Sequence, residues 1–117
     1  YVSGTAKKDL LSLLPESGIN VEDIPKSYEE SGFAENVRTR AYVKIQDGCN
    51  NFCSYCLIPY VRGRSRSRAL DKVVEEVRSV PENIKEIVLT GIDISSYGKD
   101  IGLSLKDLIL ALSDVEF

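Results

Sequence analysis

Histidine and methionine are absent from this chain of 117 residues, and cysteine occurs only three times. Without histidine, a metal must be held by thiolates, carboxylates or groups supplied from outside. No apolar run approaches the roughly 20 residues of a membrane span. The start, Tyr1-Val-Ser-Gly-Thr5, has neither a basic opening nor a long apolar stretch, so no secretory signal is expected there. With no initiator methionine, the chain reads as an excised or processed piece. Its length suits one small domain or part of a larger one, and its apolar content is ordinary for a soluble globular protein.

What cysteine there is lies in one short run. Cys49, Cys53 and Cys56 form a C-x3-C-x2-C cluster. An odd number at such close spacing fits a disulfide framework poorly, and reduced thiols favour a cytosol. A structural zinc site is normally closed by four Cys or His ligands, so here the fourth would be a carboxylate or another chain. Thiolates also hold iron–sulfur clusters. With only three of them, one coordination position stays open, the arrangement of a reactive site. Two plainer readings stand beside this one. The first is a non-catalytic, zinc-binding interaction module completed elsewhere. The second is three thiols that happen to share a loop. Against the latter, free cysteine is usually dispersed in apolar core, and these lie among Asn, Ser and Gly.

The net charge of −3 hides an asymmetry. Up to Val37 the chain is acid-rich, with Glu16, Glu22, Asp23, Glu29, Glu30 and Glu35. Val61-Arg-Gly-Arg-Ser-Arg-Ser-Arg68 carries four arginines and no acid. It is a candidate anion site or a solvated, arginine-rich loop.

Helical spacing of Ala6, Leu10, Leu13 and Leu14 predicts a short helix from Thr5 to Leu14, ended by Pro15. Residues 16–40 show no sustained period and read as a linker. Ala41–Gln46 reads as a strand, with Val43 and Ile45 alternating with Tyr42, Lys44 and Gln46. The cysteine loop follows, and Pro59 and Gly63 are expected to keep the next stretch irregular. Ser67 is expected to cap a helix from about Arg68 to Ser79, burying Leu70, Val73, Val74 and Val77. Glu86–Thr90 reads as a short apolar strand covered on both faces. A loop from Gly91 to Gly102 precedes a last helix capped by Ser104 and Asp107, with Leu105, Leu108, Ile109 and Leu112 on its apolar face. Val115–Phe117 reads as the start of another strand. The order is βαβα, so the fold class is α/β, and a complete sheet would need more chain than this. A half-built barrel would expose apolar faces, which makes self-association plausible. Both the cysteine loop and the Gly91–Gly102 loop fall at carboxyl ends of strands, where alternating α/β folds place their chemistry.

The run Val43-Lys-Ile-Gln-Asp-Gly-Cys-Asn-Asn-Phe-Cys-Ser-Tyr-Cys-Leu-Ile-Pro-Tyr-Val-Arg-Gly-Arg-Ser-Arg-Ser-Arg68, followed by Val88-Leu-Thr-Gly-Ile-Asp-Ile-Ser-Ser-Tyr-Gly98, resembles the methylthiotransferase branch of the radical S-adenosylmethionine (SAM) superfamily. Thr-Gly-Ile-Asp93 is closest to the threonylcarbamoyladenosine tRNA methylthiotransferases. Relatives acting on isopentenyladenosine tRNA or on a ribosomal protein are the alternatives. The resemblance covers about Ala41 to Phe117 and implies the first two βα units of a partial (βα) barrel. Residues 1–15 would then be the tail of a preceding methylthiotransferase domain and 16–40 a linker. It further implies a 4Fe-4S cluster on Cys49, Cys53 and Cys56, with SAM on the open iron. Tyr55 matches a position near the adenine; its plainer reading is a partly buried loop tyrosine. Gly91 and Asp93 match the motif that contacts the SAM amino group; the plainer reading is a turn with a solvated Asp. Arg64 and its neighbouring arginines become candidates for the SAM carboxylate or for tRNA phosphate. The implied partners are a tRNA and an electron donor, with no membrane. Alone, the chain would retain at most the radical-generating half of such an enzyme.

Overall fold

A computed structural model describes residues 26–28, 30 and 39–115. The helix expected at Thr5–Leu14, most of the linker and the last two residues lie outside the described residues.

The first strand, β1 (Arg40–Lys44), buries Ala41 and Val43 and turns Tyr42 outward, as its alternation predicts. It does not run on to Gln46. The ladder stops at Lys44, and a short β2 (Gln46–Asp47) pairs antiparallel with β3 (Arg66–Ser67). The whole cysteine loop is therefore the tip of a hairpin whose base is β2–β3. Between them, Ile58–Val61 forms a one-turn helix, α1, where an irregular stretch was expected. Pro59 sits in its first turn, where a missing N–H costs nothing.

The helix α2 (Leu70–Arg78) begins later than predicted. Ala69 occupies the cap position without a side-chain bond, because Ser67 is part of β3 and its hydroxyl accepts the Gly98 N–H at 2.8 Å instead. Val73 and Val77 are buried as predicted, and Leu70 and Val74 pack at the margin of the same cluster. Strand β4 (Glu86–Thr90) lies parallel to β1, in register from Arg40–Glu86 to Lys44–Thr90. It is half-buried rather than covered on both faces. Helix α3 (Leu105–Ser113) carries the predicted capping box: Ser104 accepts from the Asp107 N–H and Asp107 accepts from the Ser104 N–H. Leu108 is buried, but Ile109, expected on the apolar face, is half-exposed. Val115 is buried in the core without forming a strand.

The core unites Val43, Ile45, Val73, Val77, Tyr97, Leu108 and Val115 between the β1–β4 pair and the two longer helices. Each large apolar side chain buried there contributes about 1.5–3 kcal/mol. A second cluster of Ala41, Val80 and Ile84 closes the amino end of the strands. The βαβα order thus holds as an α/β arrangement around one parallel pair. Among the described residues no helix is long and apolar enough to cross a membrane.

Candidate cofactor-binding loops

Two loops meet at the carboxyl ends of β1 and β4. The first carries the cysteines. Its base is fixed by Gly48, whose φ of +74° and close approach to the Arg64 carbonyl leave no room for a Cβ. The Cys49 N–H donates to the Gly63 carbonyl at 3.2 Å and the Ser65 N–H to Asn50 Oδ1 at 3.1 Å, tying the outgoing and returning limbs. All three cysteines are free thiols; Cys49 and Cys56 are partly buried and Cys53 is exposed. Among the described residues no three Cys, Asp or Glu side chains are gathered in position to hold a metal ion. The donor set nevertheless fits an iron–sulfur cluster. Three thiols share one loop within eight residues, and the Asn51 N–H points at Cys49 Sγ at 3.5 Å, the kind of contact that stabilises thiolate.

The second loop starts at Gly91. A Cβ there would lie 3.0 Å from Gln46 Oε1 and from Ile94, so packing inside the chain already favours the glycine. Asp93 opens a 3-10 turn, Ile94–Ser96. Its carboxylate accepts from Ser95 Oγ at 2.6 Å, Ser96 Oγ at 2.8 Å and Asn51 Nδ2 at 3.3 Å. The serine hydroxyls, Ser95 first and Ser96 next, hold its pKa below the usual carboxylate value, outweighing a small desolvation effect. Asp93 is thus an anion at neutral pH, beside the cysteine loop, with its acceptor capacity already shared.

Gln46 joins the two loops. The strand alternation places it on the polar face with Tyr42 and Lys44, yet it is completely buried. Its two Nε2 hydrogens are shared among the Gly48 carbonyl at 2.7 Å, Ser65 Oγ at 2.8 Å and the Asp47 carbonyl at 3.0 Å, and its Oε1 accepts the Asp93 N–H at 2.9 Å. Further ties run from Tyr97 Oη to the Arg68 carbonyl (2.9 Å) and from the Ser67 N–H to Asp100 (2.8 Å).

The arginines part company. Arg62 binds Asp47 at 3.2 Å. Arg66 is buried, donates to the Arg62 and Arg64 carbonyls and lies 3.6 Å from Asp47. Arg68 is buried between Glu30 and Glu76. These three are internal braces, which excludes the solvated-loop reading for them. Of these four, only Arg64 is exposed without a carboxylate partner among the described residues; its guanidinium lies 4.2 Å over the Phe52 ring. Tyr55 is 88% exposed rather than partly buried, leaving its ring available. Asp47 was not singled out in the sequence, where the arginine run that it meets begins 15 residues further on at Arg62. Burial works to raise its pKa. The Lys44 ammonium at 2.7 Å, the Gly48 N–H and Arg62 outweigh this and hold it low.

The family model of the radical SAM superfamily matches residues 43–114. This chain belongs to the radical SAM superfamily. A tRNA-2-methylthio-N(6)-dimethylallyladenosine synthase from Caldicellulosiruptor saccharolyticus is 37% identical over 119 residues, covering 99% of this chain and 24% of that protein. The enzyme of the same name from Acetivibrio thermocellus is 53% identical over 91 residues, 70% of this chain and 19% of its own length. The threonylcarbamoyladenosine tRNA methylthiotransferase MtaB of Aquifex aeolicus is 37% identical over 125 residues, 98% of this chain and 30% of its own length. These relatives place the chain in the methylthiotransferase branch, and membership implies a 4Fe-4S cluster and SAM as cofactors. The chain spans between 19% and 30% of the length of these relatives.

Proposed function

We propose that this chain is the radical-generating half-site of a tRNA methylthiotransferase that adds a methylthio group to C2 of N6-threonylcarbamoyladenosine beside the anticodon, in the cytosol. The observation that carries this reading is the meeting of a free three-cysteine loop with the Gly91–Asp93 loop at the carboxyl ends of parallel strands. Residues 41–117 would form the amino-terminal part of the radical SAM barrel, 16–40 a linker and 1–15 the tail of a preceding domain. Cys49, Cys53 and Cys56 would hold the cluster by three thiolates. When bound, the cluster and SAM supply a one-electron reduction of the sulfonium and a carbon radical; the electron comes from an external donor. Asp93, an anion at neutral pH, would accept from the ammonium of SAM. Tyr55 would offer its exposed ring to the adenine, and Gly91 keeps the backbone close. Arg64 would answer a carboxylate or phosphate.

A second reading keeps the chemistry and changes the N6 substituent to dimethylallyl; the 53% identity to the Acetivibrio thermocellus enzyme favours it. Methylthiolation assays of the full protein on the two tRNAs decide between them. Anaerobic reconstitution with iron and sulfide tests the half-site itself. Brown colour, acid-labile sulfide and SAM cleavage to 5′-deoxyadenosine are expected; bound zinc without visible absorption would instead establish the interaction module.

A further inference from the structure

Gln46 is the only amide among the largest fully buried side chains of the described residues, and its partners leave no ambiguity about its orientation. The Gly48 and Asp47 carbonyls can only accept, and the Asp93 N–H can only donate, so Nε2 faces the cysteine loop and Oε1 faces the second loop. Gly48 immediately precedes Cys49, and Ser65 donates its N–H to Asn50 within the cysteine loop. The bonded amide of Asp93 belongs to the residue whose carboxylate reaches Asn51. One side chain therefore grips the root of the thiol loop, its returning limb and the anion opposite. Gly91 lets it do so, since a Cβ there would press on Oε1.

We propose that Gln46 is a positioning residue for SAM: it fixes the separation between the cysteine loop and Asp93, so that a ligand anchored on the first loop meets the carboxylate of the second. This rests on the cofactor-binding reading above. Gln46 itself is buried and touches neither loop's tip, so it acts through Gly48 and Asp93 rather than on the ligand. Losing its bonds would leave the thiols in place but let the two loops drift.

The test uses Gln46→Met, which keeps the length of the side chain and removes its donors and amide acceptor. Tyr97→Phe serves as the control, since it deletes a buried bond between the second loop and the chain just beyond β3, away from Asp93 and from the cysteine loop. The full chain is loaded anaerobically with iron and sulfide. SAM is then titrated against the electron paramagnetic resonance signal of the reduced cluster. Gln46→Met should keep wild-type iron and sulfide content while the SAM dissociation constant rises about tenfold, equivalent to about 1.4 kcal/mol. The KM for SAM in 5′-deoxyadenosine formation should rise more than kcat falls. Tyr97→Phe should lose stability without moving SAM affinity. Wild-type SAM saturation in Gln46→Met overturns the proposal. So does loss of iron in step with melting temperature, or an equal shift in Tyr97→Phe, because either makes Gln46 a general structural support. A wild-type chain that takes up no iron and sulfide sinks the cofactor reading itself, before any variant is compared.

Discussion

The cysteine limb of the hairpin, residues 49–57, and its arginine limb, residues 62–68, sit side by side and are built on opposite plans. The cysteine limb is largely exposed and has few bonds within itself, chiefly the Cys56 N–H to the Cys53 carbonyl at 2.9 Å. The arginine limb is dense: Arg66, Ser67 and Arg68 are all buried, and each meets an acid of another segment, Asp47, Asp100 and the Glu30–Glu76 pair in turn. Residues proposed to accept a cofactor are left underdetermined, while the charges beside them are spent on holding the loop's foundation. Proximity of a basic run to a reactive loop is thus weak evidence that its charges face the ligand.

The contrast breaks most sharply at the thiols. Alanine at Cys49, Cys53 or Cys56, singly, should abolish iron–sulfur loading and SAM cleavage while costing about 0.5 kcal/mol or less at the exposed Cys53 and about 1 kcal/mol at the partly buried Cys49 and Cys56. Iron analysis and a melting curve on each variant check both halves. Retained iron in any one of them would remove that cysteine from the ligand set.

On the arginine side the effect should be on folding. Asp47 lies among Lys44, Arg62 and Arg66, and Asp47→Asn leaves the buried Arg66 short of its countercharge. A loss of about 3 kcal/mol is expected by denaturant unfolding. Because the pKa of Asp47 is lowered on folding, its contribution is complete above the unfolded carboxylate value of about 3.9 and fades as pH falls through the folded value. The wild type should therefore lose stability relative to Asp47→Asn only on the acid side of about pH 4. With no histidine in the chain, no imidazole adds a slope between pH 5 and 8. A stability difference that instead changes near neutrality would show that Asp47 is not the group responsible.

Gly48 is the joint between the limbs, and Gly48→Ala combines a left-handed backbone with a collision against the Arg64 carbonyl. A destabilisation on the order of 2 kcal/mol is expected, with part of the strain relieved by displacing Cys49. Melting temperature and iron content should fall together in this variant, unlike in the cysteine variants.

Much of this layout is legible in the residues. The alternation in Ala41–Val43, the Val73–Val77 spacing and the Ser104–Asp107 capping box are local signals, and each forms the element it predicts. The cysteine loop was equally plain, since its spacing is its signal. What stayed hidden depends on partners distant in sequence. Ser67 has the chemistry of a helix cap, but the Gly98 N–H, 31 residues on, takes its hydroxyl and the helix starts later. Gln46 follows a strand pattern that would turn it to solvent. The ladder breaks at Ile45, and the loop after β4 closes over it. Arg62, Arg66 and Arg68 look alike in the sequence, and only the placement of Asp47, Glu30 and Glu76 separates them from Arg64.

Arg64 is accordingly where the smallest effect on folding should accompany a specific effect on binding. Its side chain contacts Phe52 from the exposed side, while the bond it gives the hairpin comes from its carbonyl, which any residue supplies. Arg64→Ala should cost less than about 1 kcal/mol, the scale of an exposed cation–π contact. Its two possible roles leave different traces. If the guanidinium meets the carboxylate of SAM, the SAM dissociation constant rises and tRNA affinity keeps its dependence on salt. If it meets tRNA phosphate, SAM affinity stays put and the slope of log affinity against log salt becomes shallower by about one. An Arg64→Ala protein that unfolds as readily as Asp47→Asn would erase the distinction between the two limbs, because the one exposed arginine of this limb would then be bracing the hairpin like the rest.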